Sequence, residues 1–206
     1  GDMPDVSVAW HPNSRDEPQV SGEGREFRWP IDGCRYSGHA VGLSIALVSA
    51  PDTVEIGRGY FGSYESCSRY YGKYLYATYH PQRGDTTRIL TLLVPYDAEH
   101  PVPGVKAVRA SAADGVEILH REGLRDFAWT SYDTGAVTIG EARATAPVVW
   151  YRESGDEVKA YFALGGTLFW TKKGGRRGFR SDQKISIVVY GDSGRVSGPG
   201  TDVRFY

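Results

Sequence analysis

Sulfur is scarce: two cysteines and one methionine in 206 residues. Cys34 and Cys67 match no zinc or redox spacing. They read as two isolated buried thiols, or as a disulfide if the protein is exported. Charge of one sign is also missing. The net charge is −1, so no global field selects nucleic acid or an anionic membrane. No apolar run approaches the ~20 residues that span a bilayer as a helix. The longest, Leu92-Leu-Val94 with its neighbours, is strand length. No window forms an amphipathic helix with caps, and no repeat marks a propeller or solenoid. His11, His39, His80, His100 and His120 are scattered singly, which predicts no metal site and no cofactor. A secretory signal is also lacking. Gly1-Asp2 precedes the only methionine and Val6–Trp10 already reads as a strand, so a cut or processed piece of a longer protein is expected.

What is abundant is turn and strand chemistry: 26 glycines, 11 prolines and 14 tyrosines, with much valine and threonine. The length gives one large domain or two small ones. Residues 5–10, 26–29 (ended by Pro30), 41–48, 53–60, 74–80 and 88–94 read as strands, with a polar loop over 11–24. Tyr74, Tyr76 and Thr78 fall on one strand face and Leu75, Ala77 and Tyr79 on the other. Arg88–Val94 is apolar on both faces and stops at Pro95, which predicts a central strand covered on both sides. Ala98–Gly104 carries two prolines and separates a first sheet portion, 1–97, from a second, 105–206.

In the second portion strands are expected at 105–110, 115–121, 127–131, 136–139, 148–152, 158–162, 167–170, 185–190, 195–196 and 203–206. Asp114-Gly115, Thr134-Gly135 and Gly165-Gly166 look like hairpin turns. Many short strands with Gly/Pro turns predict an all-β, antiparallel β-sandwich built as one continuous unit.

Thr86-Thr-Arg-Ile-Leu-Thr-Leu-Leu-Val-Pro-Tyr-Asp97, preceded by Gly84-Asp85, resembles the C-terminal β-sandwich region of the heparinase II/III-like polysaccharide lyases. There a Gly-Asp loop precedes a strand of the type Thr-x-Leu-x-Pro. Leu43–Val48 and the tail from Ile185 to Tyr206 fit the same style. The resemblance implies β-elimination on uronate-containing chains, with the chemistry housed mainly in an N-terminal helical toroid that this chain lacks. It therefore implies no catalytic residue here. The piece would be an accessory region, inactive alone, partnered by an N-terminal helical domain of the same precursor, and extracellular or periplasmic. The rival reading is a stand-alone carbohydrate-binding, structural or adhesion module.

Seven of the 14 tyrosines lie between Tyr60 and Tyr79. Tyrosine offers a flat apolar face with a polar tip, suited to stacking on a sugar ring or on another aromatic. Tyr74, Tyr76 and Tyr79 sit in strand period and are expected to pack. Tyr64, Tyr70 and Tyr71, in the polar loop Ser63–Lys73, are candidates for sugar contact. Arg69 and Lys73 in that loop could pair a uronate carboxylate. His80, Arg83 and Asp85 share a turn and read first as surface residues.

Lys172–Arg180 places five of the 24 basic residues after Phe169-Trp170. It reads as a hairpin tip, a solvated loop that blunts an edge. The same tip could hold an anionic glycan through Arg176 and Arg177 with Trp170 or Phe179 stacking beside them; nucleic acid would fit the same chemistry.

Overall fold

The computed structural model describes residues 4–12, 14–36, 38–60, 71–81, 89–132, 135–175, 178–191, 193–199 and 202–206, with the side chains of 32–36, 60, 71 and 175 left aside. The described chain is all-β, without an α-helix, and divides into two compact units, Gly1–Val102 and Pro103–Tyr206. Cys34 (its side chain) and Cys67 lie outside the description, as do Arg83 and Asp85.

Alternation of apolar and polar residues builds the first unit as two sheets. One has the order β1 (Val6–Trp10), β6 (Tyr71–Tyr79), β5 (Thr53–Tyr60); the other runs β2 (Gln19–Ser21), β3 (Glu26–Tyr36), β4 (His39–Leu47), β7 (Thr91–Tyr96). Leu75, Ala77 and Tyr79 from one sheet meet Phe27, Trp29, Ile45 and Leu47 from the other in a shared core. This is a small antiparallel β-sandwich. Burial of each such large apolar side chain contributes about 1.5–3 kcal/mol. The expected split of the Tyr-rich strand is observed: Leu75 and Ala77 are fully buried, while Tyr76 stands exposed.

Two expectations in this unit are corrected. Strand β3 does not end at Pro30 but continues to Tyr36, with Pro30 opposite Gly42. Pro30 lies past the end of β2, whose last contact toward it is Gln19 with Arg28, so β3 is already an edge there. An edge tolerates the missing N–H. Strand β7 is not central. Among the described residues it pairs only with β4; it runs through Pro95 opposite Leu43 and leaves Leu93 49% exposed. Its leucines reflect composition rather than two-sided burial, and its proline was the better guide to position. The loop expected over 11–24 contains the short strand β2 and a 3-10 turn at Gly22–Gly24.

The second unit is one eleven-stranded sheet. Its path is β11 (Val137–Ile139), β12 (Ala142–Ala144), β14 (Glu157–Thr171), β13 (Val148–Ser154), β10 (Leu124–Ser131), β9 (Ala113–Leu119), β8 (Gly104–Ala110). The short β15 (Gly174–Gly175) pairs with β14. Strand β16 (Gly178–Tyr190) also pairs with β14 and carries β17 (Ser193–Ser197) and β18 (Val203–Phe205). Strands β8 and β11, at opposite ends of the path, come into contact, so the sheet rolls around its own core. Phe127, Trp129, Val149, Tyr151, Tyr161, Phe169, Phe179 and Ile187 fill that core.

Gly165-Gly166 is not a hairpin turn. Strand β14 runs straight through it, with two register shifts against β16 between Ala163 and Leu168. Gly165 takes φ +68°, and a Cβ on Gly166 would meet the Ala146 Cβ at 2.6 Å. The glycines thus supply a bulge and a close approach. Asp114-Gly115 likewise lies inside β9; the β8–β9 turn is Ser111-Ala112. Thr134 is outside the described residues.

Candidate functional site

The outer face of β14 and β16 follows from core alternation. Phe169 and Phe179 point into the core, so Trp170 and Arg180 beside them point outward. Register then assembles two cross-strand rows. In one, Arg143 on β12 lies opposite Trp170, which lies opposite Gly178, and the Tyr206 N–H donates to the Gly178 carbonyl at 3.1 Å. In the other, Leu168 lies opposite Arg180, and Arg180 opposite Arg204 on β18.

A polar cleft of about 480 Å³ opens at this face, lined by Arg180, Ser181, Asp182, Asp202, Arg204 and Tyr206. Arg204 leans toward Asp202, with Nε and Nη2 at 3.5 and 3.2 Å from its carboxylate oxygens. That hydrogen bond and the Asp202 charge hold the Arg204 guanidinium above its ordinary pKa. Arg180 and Arg143 make no ion pair with any described residue. Two arginines directly opposite on neighbouring strands repel. Arg204 is offset by Asp202; Arg180 keeps its five N–H donors facing an open cleft.

The face therefore offers planar cations beside two exposed aromatics, Trp170 at 36% and Tyr206 at 53% exposure. Arginine matches a carboxylate bidentately, and an aromatic face stacks on an apolar sugar face. Ser181 is buried and donates to Asp182 at 3.4 Å, fixing the floor of the cleft.

Among the residues expected from sequence, Trp170 is on this face. Arg176 and Arg177 lie outside the described residues. Phe179 is in the core rather than beside the tip. Tyr64, Arg69 and Tyr70 lie outside the described residues. Of the polar loop expected over Ser63–Lys73, Tyr71 to Lys73 belong instead to β6, with Tyr71 opposite Tyr60. Lys73 is buried at 6% exposure, with its ammonium engaged by Glu17 and its backbone N–H by the Ser14 carbonyl. Presenting Lys73 to a uronate would require displacing that carboxylate. Tyr74 and Tyr76 pack edge to face at 6.4 Å. His80 is held by Asp5 at 2.5 Å and through its backbone by Asp52, which keeps it a surface clamp.

Arg143, Arg204 and Tyr206 were not singled out in the sequence, because only strand register makes them neighbours of Trp170. Arg180 was visible as the last residue of the basic stretch.

A scan against protein-family models finds none that matches the chain, and no curated protein matches it significantly.

Proposed function

We propose that the chain binds acidic polysaccharide through the Trp170–Arg180–Arg204–Tyr206 face. On this reading it serves as an accessory β-sandwich region of a polysaccharide-lyase-like protein and supplies no catalytic group of its own. The observation that carries the reading is Arg180: a guanidinium with no carboxylate partner among the described residues, opposite a second arginine, in a cleft flanked by exposed aromatics. A uronate carboxylate bound there would relieve the cross-strand repulsion and satisfy the free fork. Trp170 would carry the pyranose ring. Arg180 and Arg204 in the lining match the uronate carboxylate, while Asp182 and Asp202 can accept only from the sugar hydroxyls, which sets the orientation of the ring.

The test is binding to immobilised alginate, hyaluronan, heparan and polygalacturonate at low and moderate salt. The expected result is salt-sensitive retention on at least one polymer, weakened roughly tenfold by Arg180→Ala and further by Trp170→Ala. Absence of retention on every polymer at low salt, or retention unchanged by both substitutions, overturns the reading. Retention that depends on ring stacking but not on charge would favour a module for neutral carbohydrate.

A further inference from the structure

The same outer face continues past the β14 bulge, and there a second group of aromatic and fixed polar side chains stands on β13, β14 and β16. Val149 and Tyr151 point into the core, so Val148, Trp150 and Arg152 point out. By the same alternation Phe162 on β14 and Val188 and Tyr190 on β16 point out. Trp150 lies opposite Phe162 and Phe162 opposite Val188; Arg152 lies opposite Ala160 and Ala160 opposite Tyr190. The rings of Trp150 and Phe162 stack at 5.8 Å and 21°. Tyr190 is 69% exposed and Val188 49%.

What separates this surface from a plain apolar face is how Arg152 is held. Its Nε and Nη2 donate to the two oxygens of Asp126 at 2.6 and 2.7 Å, and its guanidinium carbon sits 5.4 Å over the Trp150 ring. Asp126 is 4% exposed and also binds Nε2 of His120 at 2.9 Å. The buried carboxylate thus fixes two donors from opposite sides. It leaves the Arg152 Nη1 amine and the His120 Nδ1 without a partner among the described residues. A fixed guanidinium edge near an exposed phenol, with a stacked Trp–Phe pair alongside, forms a set of oriented hydrogen-bonding groups on an aromatic floor. Such a combination recognises the hydroxyls and the apolar face of a pyranose.

We infer that Arg152, Tyr190 and Trp150 form a second saccharide subsite, which takes a more distant sugar of the polysaccharide whose carboxylate is held at Arg180. This rests on the function proposed above, since both subsites are placed on one face of β14 and β16. Leu168 and Ala160, the β14 residues opposite Arg180 and Tyr190, are eight positions apart, a strand path of about 26 Å. The ligand is therefore an oligosaccharide of several residues, and a disaccharide occupies only one subsite.

The experiment is NMR titration of the labelled chain with disaccharides and octasaccharides of alginate, hyaluronan and heparan. It follows the indole N–H signals of Trp150 and Trp170 and the Nε–H signals of Arg152 and Arg180. The expected result is that octasaccharide shifts both groups saturably. Tyr190→Ala, at an exposed position that carries no core packing, then weakens octasaccharide binding roughly fivefold and leaves disaccharide binding at Arg180 unchanged. Arg152→Lys, which keeps a cation for Asp126 but loses the fork, should do the same. Shifts confined to Trp170 and Arg180 overturn the second subsite and leave the proposed function standing. Shifts confined to Trp150 and Arg152 overturn the role of Arg180 and, with it, the two-subsite arrangement. No shift at either group overturns both.

Discussion

Removing the Asp126 carboxylate should destabilise the second unit far more than its place on an outer sheet face suggests. Asp126 is 4% exposed and receives two N–H bonds from Arg152 and one contact from His120. Burial by itself would raise its carboxyl pKa. The hydrogen bonds and charges of Arg152 and His120 more than reverse that, so the group sits below the ordinary carboxylate range. Breaking a buried ion pair from one side costs about 3–5 kcal/mol. The Arg152 side chain is 30% exposed and can recover some hydration, so we expect the lower end, about 3 kcal/mol, for Asp126→Ala. For a unit of this size that is a drop in Tm of roughly 12 °C.

Asp126→Leu with Arg152→Met should recover most of the loss, because an apolar pair carries no desolvation cost. The acid limb has a definite sign. A carboxyl with a depressed folded-state pKa adds stability that is present above its unfolded pKa and disappears as pH falls through the folded one. The wild-type protein should therefore lose stability below about pH 4, and Asp126→Ala should lose less over the same interval. Urea melts at pH 7 and pH 3 of the wild type, Asp126→Leu, Arg152→Met and the double variant give the coupling, and Asp126→Ala gives the acid slope. A coupling energy under about 0.5 kcal/mol, or an acid slope identical in wild type and Asp126→Ala, would refute the argument.

Two further outcomes follow from backbone position. Gly178→Ala should destabilise by about 2 kcal/mol or more, because φ is +141° and the new Cβ would meet the Phe169 carbonyl oxygen at 1.9 Å; an unchanged urea midpoint would contradict it. Leu93→Thr should change stability by no more than about 0.5 kcal/mol, since Leu93 lies on the exposed side of an edge strand. A loss of 2 kcal/mol or more, the size expected of a core leucine, would restore a central position for β7.

Much of the fold was legible in local pattern. The strand at Thr53–Tyr60 was placed at its observed bounds, and the alternation over Tyr74–Tyr79 separated the two faces as observed, because a period of two is a one-dimensional property. Errors fell where pattern and position part company. The leucines of β7 imitate a central strand, and only the sheet order shows the edge. Gly165-Gly166 has the chemistry of a turn, yet a bulge uses the same positive φ. The short β12 was missed because three residues carry too little period to detect, and β14 gives it its place.

Local pattern was enough to predict a strand-rich chain, which among the described residues has no α-helix, and to show Trp170 next to a basic stretch. Tertiary structure alone decided which charges face solvent together. Arg143, Trp170, Arg180, Arg204 and Tyr206 are spread over more than sixty positions and become neighbours only through the register of β12, β14, β16 and β18. Lys73 has the residue type of a ligand-binding cation but folds against Glu17, because core alternation on β6 turns it inward. Residue type sets what a side chain can do, and hydrogen-bond register sets what it stands beside.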